Sequence, residues 1–178
     1  MERFLDVQTL IWLFLVVFII HDLEEIMMFE AWVKKNKDKA FKKLPEKLAN
    51  RAAKQFTMST AQLTAAVLFI FLIVSSATFM ANQYFMKGPL GNIHFFTVLI
   101  LTFFIHVFTH VGQSVYFKSV TPGVITSIFL VMPYSIVMLQ SLLNAQLISW
   151  STIMICLPFV LLMLPIVVFA HWIGKKVV

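Results

Sequence analysis

Long apolar runs, separated by short polar or breaker-rich pieces, dominate the pattern of this chain. Each of five runs has about the 20 residues that a helix needs to cross a bilayer. They cover residues 5–29, 58–81, 93–117, 122–143 and 151–173. Because they are unbroken and lack period-two alternation, they predict helices and not a barrel, with kinks in the last two runs at Pro133, Pro158 and Pro165. We therefore predict an all-α membrane protein, a single transmembrane domain built as a bundle of about five helices.

The lysines and arginines are concentrated on one side of this predicted bundle. With five spans the loops alternate sides, so the basic loop 34–54, Lys118 and Lys175–Lys176 share a side. Twelve of the 14 basic residues then lie there, and only Arg3 and Lys87 lie on the other side. The positive-inside rule predicts an N-terminus outside and a cytoplasmic C-terminus.

The basic loop has a second feature, a set of apolar residues at helical spacing among its lysines. These residues are Phe41, Leu44, Leu48 and Ala52. They suit an amphipathic helix on an anionic membrane surface, although the lysines alone would also suffice to fix the topology. No aromatic platform accompanies the charge, so we expect the lipid bilayer and no nucleic acid as a partner. The composition, 60% hydrophobic and 12% charged, agrees with an integral membrane protein.

Charged residues interrupt the first apolar run where it should be crossing the membrane. The uncharged stretch Val7–Ile20 has 14 residues. It spans roughly 21 Å as a helix, which is short of the ~30 Å hydrocarbon core. A complete span must therefore carry the ionisable residues that follow, which are His21, Asp22, Glu24 and Glu25. Each costs at least ~2.5–3.5 kcal/mol at the midplane, so these groups need partners, a water-filled cavity or a metal ion.

The third apolar run carries a pair of histidines, His106 and His110, one helical turn apart. The first and third runs cross the membrane in the same direction, so the depths of their residues can be compared. His21 and Glu25 follow the start of their span by about as many residues as His106 and His110 follow theirs. At about 1.5 Å per residue, all four lie within about a turn of one level, in the inner half of the membrane.

Histidines and carboxylates from facing helices form a typical transition-metal site. We predict zinc or another divalent transition metal, bound by His21, His106, His110 and either Glu24 or Glu25. The other glutamate would take the proton from a water molecule at the open position, as in hydrolytic zinc sites.

The same comparison of depths predicts which other polar residues lie near the metal ligands. Asp22 would orient a ligand histidine, and Gln62 and Gln113 would supply further polar groups near the inner end. His171 lies at nearly the right depth and is a reserve ligand, whereas His94 lies at the outer entry of its span. The three acidic residues of the cluster also leave a two-metal site open.

Two other functions use the same residues without a metal ion. In a proton- or cation-coupled carrier they would titrate during transport, and a chain of this size without an inverted repeat would then require a homo-oligomer. In a structural membrane subunit the acids and histidines would only form hydrogen bonds across the bundle.

The sequence His21-Asp22-Leu23-Glu24-Glu25, at the inner end of a first span, resembles the signature of the HXXEE family of small bacterial membrane proteins. This resemblance implies that His21, Glu24 and Glu25 matter and that the chain belongs in a bacterial cytoplasmic membrane. The family is named for its motif and implies no activity. From the residues we expect a metal-dependent membrane enzyme, a hydrolase of a lipid or lipid-linked substrate, since a site at this depth meets amphiphiles more readily than solutes.

Overall fold

The structure, a computed structural model, describes residues 6–42 and 58–178, and within them the side chains of all but residues 37–42. In this part of the chain it has long helices and no strand. The five helices are α1 (Val7–Lys42), α2 (Thr60–Phe85), α3 (Ile93–Phe117), α4 (Val124–Asn144) and α5 (Trp150–Val177). The predicted all-α bundle is therefore confirmed.

Four of these helices, α2 to α5, are long and apolar enough to cross a membrane, which makes the chain a multi-pass membrane protein. The crossing by α1 and the orientation of the termini stay predictions. Helix α1 continues to Lys42, well past the end at residue 29 that was predicted for the first span. The proposed amphipathic helix in the basic loop lies outside the residues whose side chains the structure describes.

Polar side chains cap the N-termini of three of the helices. Ser59 caps α2, Asn92 caps α3 and Ser149 caps α5, each accepting a hydrogen bond from a backbone N–H in the first turn. Gln62 completes a capping box, because its Oε1 accepts a hydrogen bond from the Ser59 backbone N–H at 3.2 Å. The side chain of Gln62 thus caps the start of α2, and its predicted role near the metal stays a prediction.

An aromatic cluster joins α1, α3 and α4 on the N-terminal side of His21 in α1 and of His106 in α3. Phe14 of α1 packs edge-on against Phe96 and Phe103 of α3, with ring centroids 5.5 and 5.4 Å apart. It stacks on Tyr134 of α4 at 5.9 Å, and the Tyr134 hydroxyl donates to the Leu10 carbonyl at 2.9 Å. This cluster fixes α1 against α3, so that the polar residues further along both helices meet.

Helices α4 and α5 depart from α-helical geometry where two of the prolines lie. A π-helical segment, Ser127–Val131, precedes Pro133, and a 3₁₀ segment, Leu157–Leu162, contains Pro158. Proline has no backbone N–H to donate and its ring crowds the preceding turn, so the regular ladder cannot continue there. Pro165 lies in the first turn after the 3₁₀ segment and is accommodated in α-helix.

Candidate metal centre

Two helix faces meet at the centre of the bundle, one from α1 and one from α3. His21 and Glu25 lie one turn apart on α1, and His106 and His110 lie one turn apart on α3. One nitrogen or oxygen atom from each of these four residues lies within 4.8 Å of the corresponding atoms of the other three. Helices α1 and α3 therefore bring these four side chains together, at the position that the comparison of depths indicated.

The carboxylate of Glu25 lies in the middle of the three imidazoles. Its Oε1 is 2.8 Å from His110 Nε2, 3.5 Å from His106 Nε2 and 3.7 Å from His21 Nε2. The Nε2 atoms of His106 and His110 are 2.7 Å apart. Ligands about 2.0–2.1 Å from a tetrahedral zinc ion are about 3.3 Å from one another. These distances lie on both sides of that value, so small side-chain movements would bring the four atoms round one ion.

Burial differs among the three histidines and gives the site an open side. His21 is fully buried and His110 is 5% exposed, whereas the His106 side chain is 41% exposed. Among the described residues, His21 Nε2 has no hydrogen-bond partner, although it faces the Glu25 carboxylate. A buried ring nitrogen that has no hydrogen bond and faces other potential ligand atoms is typical of a metal-binding position.

Glu24 has a different environment from Glu25. Its Oε1 accepts from the backbone N–H of Ile125 at 3.2 Å, and its Oε2 accepts from the backbone N–H of Thr126 at 2.7 Å and from the Thr126 hydroxyl at 2.5 Å. The residue before α4 is Gly123, which has no capping side chain. The carboxylate of Glu24 therefore caps α4 from α1, next to the positive end of the helix dipole. Both its oxygens are used, and Glu25 is the carboxylate that faces the histidines.

Thr126 also contacts His21, because its Oγ1 lies 2.9 Å from His21 Nδ1. The sequence had given Asp22 the role of orienting a ligand histidine. Asp22 is buried, but within the described part of the chain no hydrogen bond joins it to an imidazole. Thr126 occupies the position beside His21 that was expected for Asp22.

Gly123 packs directly against the site and was missed in the sequence. Its φ is +78°, in the left-handed region. A Cβ on it would lie 2.8 Å from His110 Cε1 and 2.9 Å from Glu25 Cγ. Only glycine accommodates both this backbone conformation and this approach. The one signal in the sequence was the Pro122-Gly123 pair between two spans, which is typical of an ordinary turn.

A cavity of about 390 Å³ opens beside Glu25, His106 and His110. Its other walls are mainly apolar and aromatic, and they come from α1, the start of α2, the last turns of α3, the turn before α4, and α5. They are Phe29, Trp32, Met58, Leu63, Gln113, Phe117, Pro122 and His171. Gln113 and His171 thus lie on the wall of this cavity and are not among the four clustered ligand atoms. His94 lines a separate cavity near the start of α3.

Comparison with known proteins gives one match. A family model described as "Protein of unknown function with HXXEE motif" matches residues 12–138. This range contains His21, Glu24 and Glu25 and extends through α3 to α4. No curated protein and no solved structure matches the chain.

Proposed function

The chain belongs to the HXXEE family, and we propose that it is a metal-dependent membrane enzyme, a hydrolase of a lipid or of a lipid-linked ester or phosphoester. The observation that carries the proposal is the convergence of three imidazole Nε2 atoms and one carboxylate oxygen within 4.8 Å. Three histidines and a carboxylate suit zinc or another divalent transition metal.

In this proposal His21, His106 and His110 would hold the ion, and the Glu25 carboxylate, which could also serve as a fourth ligand, would leave that position to a water molecule. A bound zinc ion would polarise the scissile group and activate a water molecule. Glu25 would be the residue to accept a proton from that water, because its carboxylate lies among the three imidazoles and on the wall of the cavity. Glu24 is engaged at the start of α4, which favours Glu25 over Glu24 as the base.

The cavity supports a lipid-like substrate. Apolar and aromatic side chains form most of its wall, while the carboxylate and two imidazoles lie at one end. An amphiphile can place its acyl chain against Phe29, Leu63 and Phe117 and its ester or phosphoester against Glu25. The multi-pass bundle would give such a substrate direct access from the bilayer.

The test is elemental analysis of the purified protein in detergent micelles. The double variant His106→Ala, His110→Ala removes two ligands, and His94→Ala is the matched control, since His94 begins the same helix but lies in another cavity. We expect about one transition-metal ion per chain in the parent and in His94→Ala, and none in the double variant. Hydrolysis of ester- and phosphoester-containing lipids in mixed micelles should follow the metal content.

A second candidate, a proton- or cation-coupled carrier, is favoured by Asp22. This carboxyl group is 8% exposed in the middle of α1, next to His21, and is not part of the four-residue cluster. An extra buried ionisable group is typical of proton pathways. No bound metal after reconstitution with zinc, iron and manganese, together with cation or proton flux in proteoliposomes, would establish the carrier in place of the enzyme.

A further inference from the structure

A chain of hydrogen bonds runs from Glu24 through Thr126 to His21. Thr126 Oγ1 is 2.5 Å from Glu24 Oε2 and 2.9 Å from His21 Nδ1. The three residues come from the middle of α1 and the first turn of α4. His21 at the end of this chain is fully buried, and its other ring nitrogen faces Glu25.

The number of hydrogens available fixes the direction of these bonds. An ionised carboxylate can only accept, and a threonine hydroxyl has one hydrogen to donate. The Thr126 hydroxyl has two acceptors in reach, Glu24 Oε2 at 2.5 Å and the Gly123 carbonyl oxygen at 3.4 Å, and it gives its hydrogen to the nearer and charged one, Oε2. Its oxygen must then accept from His21, which places a hydrogen on Nδ1. The Nε2 lone pair of a neutral His21 is consequently free.

We propose that Thr126 is a positioning residue that, held by Glu24, fixes His21 in the Nδ1–H tautomer and so presents Nε2 as a ligand. The inference rests on the proposed metal site and deepens it. It gives the two glutamates of the motif separate tasks, since Glu25 faces the ion while Glu24 acts through Thr126. Metal-bound histidines are commonly oriented by a hydrogen bond at the nitrogen that does not bind the metal.

A threonine hydroxyl also lies beside Nδ1 of His106, and here the threonine belongs to the same helix as the histidine. The Thr109 hydroxyl donates to the His106 carbonyl at 2.7 Å, so its oxygen accepts from His106 Nδ1, which is 3.2 Å away. His106 Nε2 therefore carries no hydrogen, and its lone pair can either accept from His110 Nε2, 2.7 Å away, or bind a metal. Thr109 lies on the same helix as His106, whereas Thr126 lies on another helix than His21, so Thr126 couples the position of α4 to the His21 ring.

The experiment compares Thr126→Val, which removes the hydroxyl at nearly constant shape, with Thr126→Ser, which keeps it. Thr97→Val is the matched control, because Thr97 is buried and its hydroxyl bonds only to the Ile93 carbonyl of its own helix. Zinc affinity is measured by competition with a chromophoric chelator, and the His21 tautomer by ¹⁵N NMR of the metal-free, histidine-labelled protein. We expect Thr126→Val to weaken zinc binding about 10- to 100-fold. It should also lose the Nδ1–H signal of His21, while Thr126→Ser and Thr97→Val keep both.

The outcomes separate this inference from the metal site itself. If Thr126→Val binds zinc as tightly as the parent, the positioning role is wrong while the metal site stands. If the parent binds no metal, the proposed function fails, and the NMR spectrum alone decides whether Thr126 sets the tautomer. Should Thr126→Val not fold, the parent spectrum still decides, since a His21 hydrogen on Nε2 overturns the proposal.

Discussion

Replacing Gly123 by alanine should damage the site through a single added methyl group. The new Cβ would lie 2.8 Å from His110 Cε1 and 2.9 Å from Glu25 Cγ. Carbon atoms in contact prefer about 3.5–4.0 Å, so each neighbour would have to move away by about 0.6 Å or more. A functional group displaced by more than about 0.5 Å leaves its productive geometry.

The backbone adds a second cost, because Gly123 has a φ of +78°. An L-residue in the left-handed region costs about 1–2 kcal/mol, and overpacking a buried site costs about 1–3 kcal/mol. We expect Gly123→Ala to lower the free energy of unfolding by about 2–5 kcal/mol, on the basis of these two terms. Zinc affinity should fall at least tenfold, since His110 and Glu25 both have to move.

Gly112→Ala is the control for this experiment. Gly112 lies on α3 two residues after His110, and a Cβ there meets no atom within 4 Å. In a helix this change should be neutral or stabilise by up to about 1 kcal/mol. Both variants are compared by denaturant unfolding in micelles and by chelator competition. Equal zinc affinity and equal stability of the two variants would refute the close packing of Gly123 on the site.

Three further changes test other parts of the bundle. Glu24→Gln leaves one accepting oxygen for three donors, so we expect a loss of at least about 1–3 kcal/mol in unfolding free energy, measured in denaturant; unchanged stability would contradict the cap. Gly174→Ala would bring a Cβ into a clash with the Gln62 carbonyl oxygen, so it should destabilise the packing of α5 on α2 by about 1–3 kcal/mol while zinc affinity is retained. Tyr134→Phe removes a buried hydrogen bond to α1 and should lower the unfolding free energy by about 0.5–1.5 kcal/mol, with no change if that bond is absent.

The helices were predictable because a membrane span is read directly from the length of an apolar run. The third run was predicted at residues 93–117 and forms Ile93–Phe117. The end of α1 was not predictable in this way, because the helix continues through a lysine-rich stretch beyond the apolar run. Lysine is a good helix former, and hydropathy marks the end of an apolar segment without marking the end of a helix.

The four clustered residues were predictable for a similar reason. His21 with Glu25, and His106 with His110, have helical spacing, and equal depth on parallel spans brings the two pairs to one level. Neither helical spacing nor depth in the sequence indicated a role for Thr126. Buried threonines of this bundle, such as Thr78 and Thr97, donate to the carbonyl four residues earlier in their own helix. Only the position of α4 against α1 distinguishes Thr126 from them, and that position is a tertiary feature.

The same tertiary feature decides between the two glutamates. Glu24 and Glu25 are about 100° apart round α1, so when one faces α3 the other faces a different neighbour. An ionised carboxylate at this depth costs at least ~2.5–3.5 kcal/mol. Hydrogen bonds to a charged group contribute about 1.5–3 kcal/mol each, so the three donors at the start of α4 offset the cost for Glu24 without any ion. Glu25 has three imidazoles around it, and neutral imidazoles carry no compensating charge. The proposed metal ion, held by the Nε2 atoms of these imidazoles, would supply the positive charge that neutral imidazoles lack.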